Sequence, residues 1–329
     1  MHASGNIRNQ PLHALFGLLF TVLAAPAALA QEFPSRPIRL IVPNAPGGGT
    51  DITGRALGAK LSQTWGQQII VDNRAGGTGA IGMEMAARAT PDGYTIVLVT
   101  GTQAARRATH RNLPYDLGRD YAPVTQITAQ SYVLVINPSV PAKSIEELVA
   151  LAKQKPDALT YGSSGQGSLQ HLSGVLLGTA TKTKLLHVAY KGGGPALADV
   201  LAGQISMVFA TPLESVPHIK TGRLRALAVT GAQRSRALPD LPTVAEFGVP
   251  GYDVTNWYGI LAPLATPKAV VDKLNSGFVE AVKSPEMAQR FLKDGVEPIG
   301  STTEEFQRHI RAEIEKWQRV VDAAGIKVE

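Results

Sequence analysis

The sequence, 329 residues long, has no cysteine. That excludes disulfides, thiolate nucleophiles and cysteine metal sites, so core burial must hold the fold together. Charge is sparse at 18%, against 44% hydrophobic residues, and aromatics make up 6%. No cluster of Lys and Arg interleaved with aromatics occurs, which argues against nucleic acid as a partner. No pair of histidines shows the H-x-x-x-H spacing of a zinc helix, so neither a metal nor a cofactor is expected. Past residue 30, no apolar stretch approaches the ~20 residues that span a bilayer. Glycine (33) and proline (22) are plentiful but scattered, so they punctuate elements and form no low-complexity tract.

The first thirty residues stand apart. Arg8 is their only Lys or Arg, an apolar stretch of about 14 residues follows from position 12, and Ala28-Leu29-Ala30 ends it. This is the pattern of a secretory signal peptide over residues 1–30, cut after Ala30. Its removal takes one positive charge from the formal +6 and leaves +5, 31 basic against 26 acidic residues. So weak a field suits the attraction of small anions.

The remaining length suits two domains of about 150 residues. Short β-branched runs alternate with helical stretches, the pattern of α/β domains with mostly parallel sheets. Strands are predicted at 37–43, 68–71, 94–99, 132–136, 159–161, 185–189, 205–209, 224–229 and 257–261. Thr50 and Asp51 read as caps of a helix to Trp65, and Ser144 with Glu147 as a capping box. Pro195 is placed at a first helical position. Two helices close the chain, the second carrying Phe306, Ile310, Ile314, Trp317 and Val321 on one core-facing stripe. If the strands near 133–136 and 257–261 carry the chain between domains, lobe 1 is 31–132 plus 256–329 and lobe 2 is 133–255.

Four times a strand runs into a Gly/Ser-rich loop that opens a helix, at 44–50, 75–80, 162–168 and 191–194. The first N–H groups of a helix lack intrahelical partners and carry about half a positive charge, so each junction is a potential anion site. Asp51 has two readings, as a helix cap or as an acceptor facing a ligand. Gly77-Thr78-Gly79-Ala80-Ile81-Gly82 matches the dinucleotide fingerprint, but residues 100–109 contain no acid to hold a ribose. Ser163 and Ser164 invite a hydrolase reading with His171 as base; consecutive Gly162-Ser163-Ser164-Gly165 does not spell G-x-S-x-G.

At these loops the chain resembles the substrate-binding receptors of tripartite tricarboxylate transporters, the Bug receptors. The resembling stretches are 43–51 (PNAPGGGTD), 72–82 (DNRAGGTGAIG), 161–171 (YGSSGQGSLQH), 190–204 (YKGGGPALADVLAGQ), 238–251 (LPDLPTVAEFGVPG) and 256–263 (NWYGILAP). The resemblance implies a two-lobed type II periplasmic-binding-protein fold, a Venus flytrap with two crossing strands and no enzymatic activity. It implies capture of a small organic acid in the periplasm, by a monomer that then docks on inner-membrane transporter subunits. Carried over, lobe 1 would grip the ligand through Gly47, Gly48, Gly49, Thr50 and Asp51, and through Gly76, Gly77, Thr78 and Gly79. Lobe 2 would add Ser163, Ser164, Gly165 and Ser168. Three departures stand out: Asn44 in place of an aromatic, Gly77-Thr78 in place of Ala-Gly, and residues 102–107 (TQAARR). The last puts Arg106 and Arg107 near the cleft or on its rim, where exposed charges would steer an anion.

Overall fold

In a computed structural model, the residues described are 33–247, 249 and 251–326. The expected signal peptide and its cut after Ala30 lie outside them. Strands β1 (Ile38–Val42), β2 (Ile69–Asn73) and β3 (Thr95–Thr100) run parallel in the order β2-β1-β3. Strand β10 (Thr255–Pro263) lies antiparallel between β3 and β4 (Tyr121–Ser131), and the short β11 (Glu297–Pro298) borders β4. A second sheet holds β5 (Val133–Ile136), β6 (Thr160–Ser163), β7 (Leu186–Ala189), β8 (Met207–Ala210) and β9 (Arg225–Val229). Its order is β7-β6-β8-β5-β9, with β5 antiparallel to both neighbours. Each sheet therefore repeats one plan, in which an antiparallel strand enters between the third and fourth parallel strands.

The apolar runs of β1 and β3 are buried on both faces, as central parallel strands require. Because side chains alternate, Ile38, Leu40 and Val42 enter one core with Leu57, Leu61 and Phe278. Ile41 enters the opposite core with Val97, Trp257 and Phe306. In the second sheet, Leu134 and Ile136 face one core while Val133 and Val135 face the other. Helices α1 (Gly49–Trp65), α2 (Ala80–Ala87) and α3 (Gly101–Thr109) belong to the first sheet; α4 (Ile145–Gln154), α5 (Leu169–Thr181), α6 (Gly193–Leu201) and α7 (Pro212–Lys220) follow. The chain ends in three helices, not two: α8 (Lys268–Lys283), α9 (Pro285–Lys293) and α10 (Thr303–Ala323). Helix α10 packs Phe306 and Ile310 into a core of the first sheet, and Trp317 and Val321 into a core of the second.

Several caps differ from their sequence reading. Helix α1 is capped by Gly48, which leaves Thr50 and Asp51 inside its first turn. Ser144 accepts from the Glu147 amide at 3.3 Å, but the Glu147 carboxylate reaches the Lys143 amide, so only half of the box forms. Pro195 is the third residue of α6, where the N–H it lacks would still have no intrahelical partner.

The chain passes between the sheets twice, at Tyr132 and on entering β10. Thr230 joins the two crossings. Its Oγ1 accepts from the Tyr132 amide at 2.9 Å and donates to the Val254 carbonyl at 2.6 Å, fully buried. The near-isosteric Thr230→Val leaves one donor and one acceptor unpaired, so we expect a loss of about 1–3 kcal/mol in urea unfolding. Thr230→Ser should retain most of that stability; equal losses in both variants would show the bonds to be dispensable.

Candidate functional site

The loops of the two sheets meet over a cavity of about 30 Å³ built from the starts of five helices. Gly48, Gly49 and Thr50 open α1, Thr100 caps α3, Gln170 lies in the first turn of α5, Gly193 opens α6 and Thr211 caps α7. Asn44, Ser164, Asn256 and the phenols Tyr132 and Tyr258 complete the wall with Glu214. No lysine or arginine is among the lining residues. Positive potential here must come from the first-turn N–H groups, which have no intrahelical partners, and from the helix dipoles. A volume of 30 Å³ has room for only a few waters, so an organic acid enters only if the loops part.

The loops are closed on each other by hydrogen bonds in which main chain takes at least one side. The Ala45 amide donates to the Lys191 carbonyl at 2.9 Å, joining the loop after β1 to the loop after β7. The Gly49 amide donates to Glu214 Oε2 at 3.1 Å, joining α1 to α7. Leu169 N–H donates to Thr102 Oγ1 at 3.3 Å, and Thr78 Oγ1 donates to the Gln166 carbonyl at 3.0 Å. Gly194 lies so close to residues 46–48 that a Cβ on it would stand 2.8 Å from Gly47 C, Gly48 N and Pro46 O. Glycine is needed there for backbone approach.

The expected site residues divide. Gly48, Gly49, Thr50 and Ser164 line the cavity. Gly47 and Asp51 stand behind it: Asp51 Oδ2 accepts from the Gly47 amide at 3.1 Å, and its carboxylate pairs with Arg55 at 2.9 Å. Burial pushes the Asp51 carboxyl up, yet Arg55 and the Gly47 amide outweigh it and hold it below the usual range. Asp51 thus neither caps the helix nor faces the cavity; it braces the loop. Gly76, Gly77, Thr78 and Gly79 lie outside the cavity, where Thr78 touches Gly165 and Gln166 of the facing loop. Ser168 caps α5 by accepting from the His171 amide at 3.2 Å.

Arg106 corrects the expectation of a rim charge. It is 5% exposed, and its guanidinium donates to the Gly77 carbonyl, so it fixes the second Gly-rich loop from below. Arg107 is half exposed and faces Asp116 at 3.8 Å. The serine loop differs as well. Ser163 Oγ lies 2.6 Å from His187 Nε2, while His171 Nδ1 accepts from the Gly167 amide. The His171 and His187 rings lie 4.2 Å apart, tilted by 35°, and burial lowers both to about 4, so both are neutral at pH 7. Ser163 is fully buried and its Oγ also accepts from the Gly165 amide, which ties it into the loop. Glu214 is absent from the expected site, as are the other lining residues Thr100, Tyr132, Gln170, Gly193, Thr211, Asn256 and Tyr258. Thr211-Pro212-Leu213-Glu214 after an apolar strand has the T-x-x-E form of a helix start and could have revealed Glu214.

A larger hollow of about 420 Å³ lies behind the crossings, lined by Gln130, Gly231, Arg234, Asp253 and Glu297 among others. None of the Gly-rich junctions reaches it. The smaller cavity is the better candidate, because there the helix starts converge.

Comparison with solved structures gives the class of protein. A Rhodopseudomonas palustris protein solved with adipate is 37% identical, with a TM-score of 0.87 over 90% of this chain and 100% of its own. MatC of the same organism, solved with bound malate, is 30% identical, with a TM-score of 0.83 over 88% of this chain and 100% of its own. The two-sheet α/β architecture is that of the periplasmic binding proteins. Within that class the match is narrower: residues 53–326 fit the tripartite tricarboxylate transporter family receptor, and the chain belongs to that family. BugT of Bordetella pertussis is 34% identical over 326 residues, covering 97% of this chain and 98% of its own. Among the described residues, no helix is long and apolar enough to cross a membrane.

Gly194→Ala tests the backbone closure. Gly194 is not in the left-handed region, and alanine favours a helix by up to about 1 kcal/mol, so folding should be unharmed. The added methyl must hold the loops apart, and solution scattering should show a larger radius of gyration than wild type with unchanged circular dichroism. Superimposable scattering profiles would mean that this contact does not set the closed form.

Proposed function

We propose that the chain is an exported receptor that closes two lobes on a small organic carboxylate and passes it to inner-membrane transporter subunits. The observation that carries this reading is the convergence of five helix starts, from both sheets, on one cavity without a lysine or arginine. Such amides and dipoles bind an anion without a counter-charged side chain. Membership of the receptor family supports it. So do the similar structures solved with adipate and with malate.

In this proposal residues 1–30 are the leader, cut after Ala30. Lobe 1 is 31–132 plus 256–329 and lobe 2 is 133–255, hinged at the crossings that Thr230 ties. Gly48, Gly49, Thr50 and Ser164 form part of the cradle. Gly47, Asp51, Gly165 and Ser168 shape the loops, and Gly76 to Gly79 close against the facing lip. The receptor works as a monomer and catalyses nothing.

The Ser163–His187 contact supports a second reading, an exported hydrolase. Against it, rings rather than a carboxylate flank His187, with Tyr161 and His171 at 5.0 and 4.2 Å. A nucleophile's base needs an orienting partner. One screen separates the two. At about 100 times its dissociation constant, a bound acid stabilises by roughly 2.7 kcal/mol, well within reach of thermal denaturation. We expect a shift with at least one three- to six-carbon carboxylate and no product. Ester turnover that disappears in Ser163→Ala, with no shift from any acid, would establish the hydrolase instead.

A further inference from the structure

Glu214 is the only acid or base among the residues that line the cavity, phenols aside, and it is 5% exposed. Both of its oxygens are engaged by main chain. Oε1 accepts from the Thr211 amide at 2.7 Å within its own helix turn. Oε2 accepts from the Gly49 amide, the first residue of α1, which belongs to the opposite sheet. An amide that an incoming carboxylate would use thus already carries an internal carboxylate. Gly193 presses on the same group, since a Cβ there would lie 3.1 Å from both Glu214 oxygens. A ligand that brings two full negative charges meets a third, with no lysine or arginine in the wall to offset it.

One unmet polar atom points the same way. Asn256 Oδ1 is buried without a hydrogen-bond partner, and Asn256 lines this cavity. A carbonyl oxygen accepts only, and so does an ionised carboxylate. The cavity therefore presents two acceptors beside the helix starts, the Glu214 carboxylate, already engaged by two amides, and Asn256 Oδ1, which still lacks a donor.

We propose that Glu214 selects the charge of the ligand. The cavity takes a monoanion with a carboxylate at one end and a neutral hydrogen-bond donor (an amide or hydroxyl group) at the other, in preference to a dianionic dicarboxylate. This deepens the carboxylate-capture reading and rests on it. A dianion has one way in, which is to bind together with a proton that turns Glu214 from acceptor into donor. Burial raises this carboxyl, against the opposing pull of the Thr211 and Gly49 amides. The other titratable groups facing it are the Tyr132 and Tyr258 phenols, which burial keeps neutral far above pH 7. On α1, Asp51 is turned away to Gly47 and Arg55.

Matched pairs that differ only at one end test this: succinate with succinamate, glutarate with glutaramate, adipate with adipamate. Each is titrated calorimetrically at pH 7.5 into the wild-type protein and into Glu214→Gln, whose amide can donate to a second carboxylate. For the pair that fits best, the wild type should bind the half-amide at least tenfold tighter than the dianion. Glu214→Gln should abolish or reverse that preference. In wild type alone, the dianion's binding heat should vary with buffer ionisation enthalpy as the uptake of about one proton requires. That readout holds even if the variant does not fold. A wild type that binds the dianion as tightly as the half-amide, without proton uptake, overturns the proposal; so does an unchanged ratio in folded Glu214→Gln. If no member of any pair binds either protein, the carboxylate reading itself fails and this inference falls with it.

Discussion

Everything in the cleft depends on one constraint: a helix leaves its first N–H groups without partners, and those groups must find an acceptor. Here five such starts meet in one small space. That arrangement explains why the loops leading into it are glycine-rich. Side chains at Gly48, Gly193 or Gly194 would stand between the amides and whatever they bind, or between one loop and the other. It also explains how a protein with so little charge can be built to take up anions. The field comes from oriented peptide groups, which need no mobile side chain to be ordered when a ligand arrives.

The charged side chains near the cleft serve as braces. Arg106 holds the carbonyl of Gly77, and Asp51 with Arg55 ties Gly47 to the first turn of α1. Both fix the geometry of Gly-rich loops that would otherwise be free to sample many conformations. Glu214 differs from them because it alone lines the cavity and satisfies an orphan amide of the opposite sheet. The same bond that closes the loops is therefore the one that a ligand has to replace or accommodate.

Much of this was legible in the sequence, and the failures have physical causes. The buried runs of β1 and β3, the four Gly-rich junctions and the stripe on α10 follow from hydrophobicity and backbone freedom alone. Strand β4 escaped notice because Thr125, Gln126, Thr128 and Gln130, all buried, make it read as polar loop. Its position between β10 and β11 buries them, and nothing local announces that. Helix α7 was hidden by Pro212 and Pro217, although the first of these sits where a helix tolerates proline. The roles of Arg106 and Asp51 could not be read locally either. Exposure decides whether a charge steers or braces, and exposure is set by tertiary packing.

The central claim is that main-chain amides at the helix starts hold the ligand's carboxylate. The most direct measurement is an amide nitrogen–proton correlation spectrum during titration with an acid that shifts the thermal transition. Gly48, Gly49 and Gly193 should show the largest downfield proton shifts, with residues lining the hollow behind the crossings unmoved. If those glycines stay in place while the residues around Arg234 and Asp253 shift, the helix starts are not the site and the account is wrong.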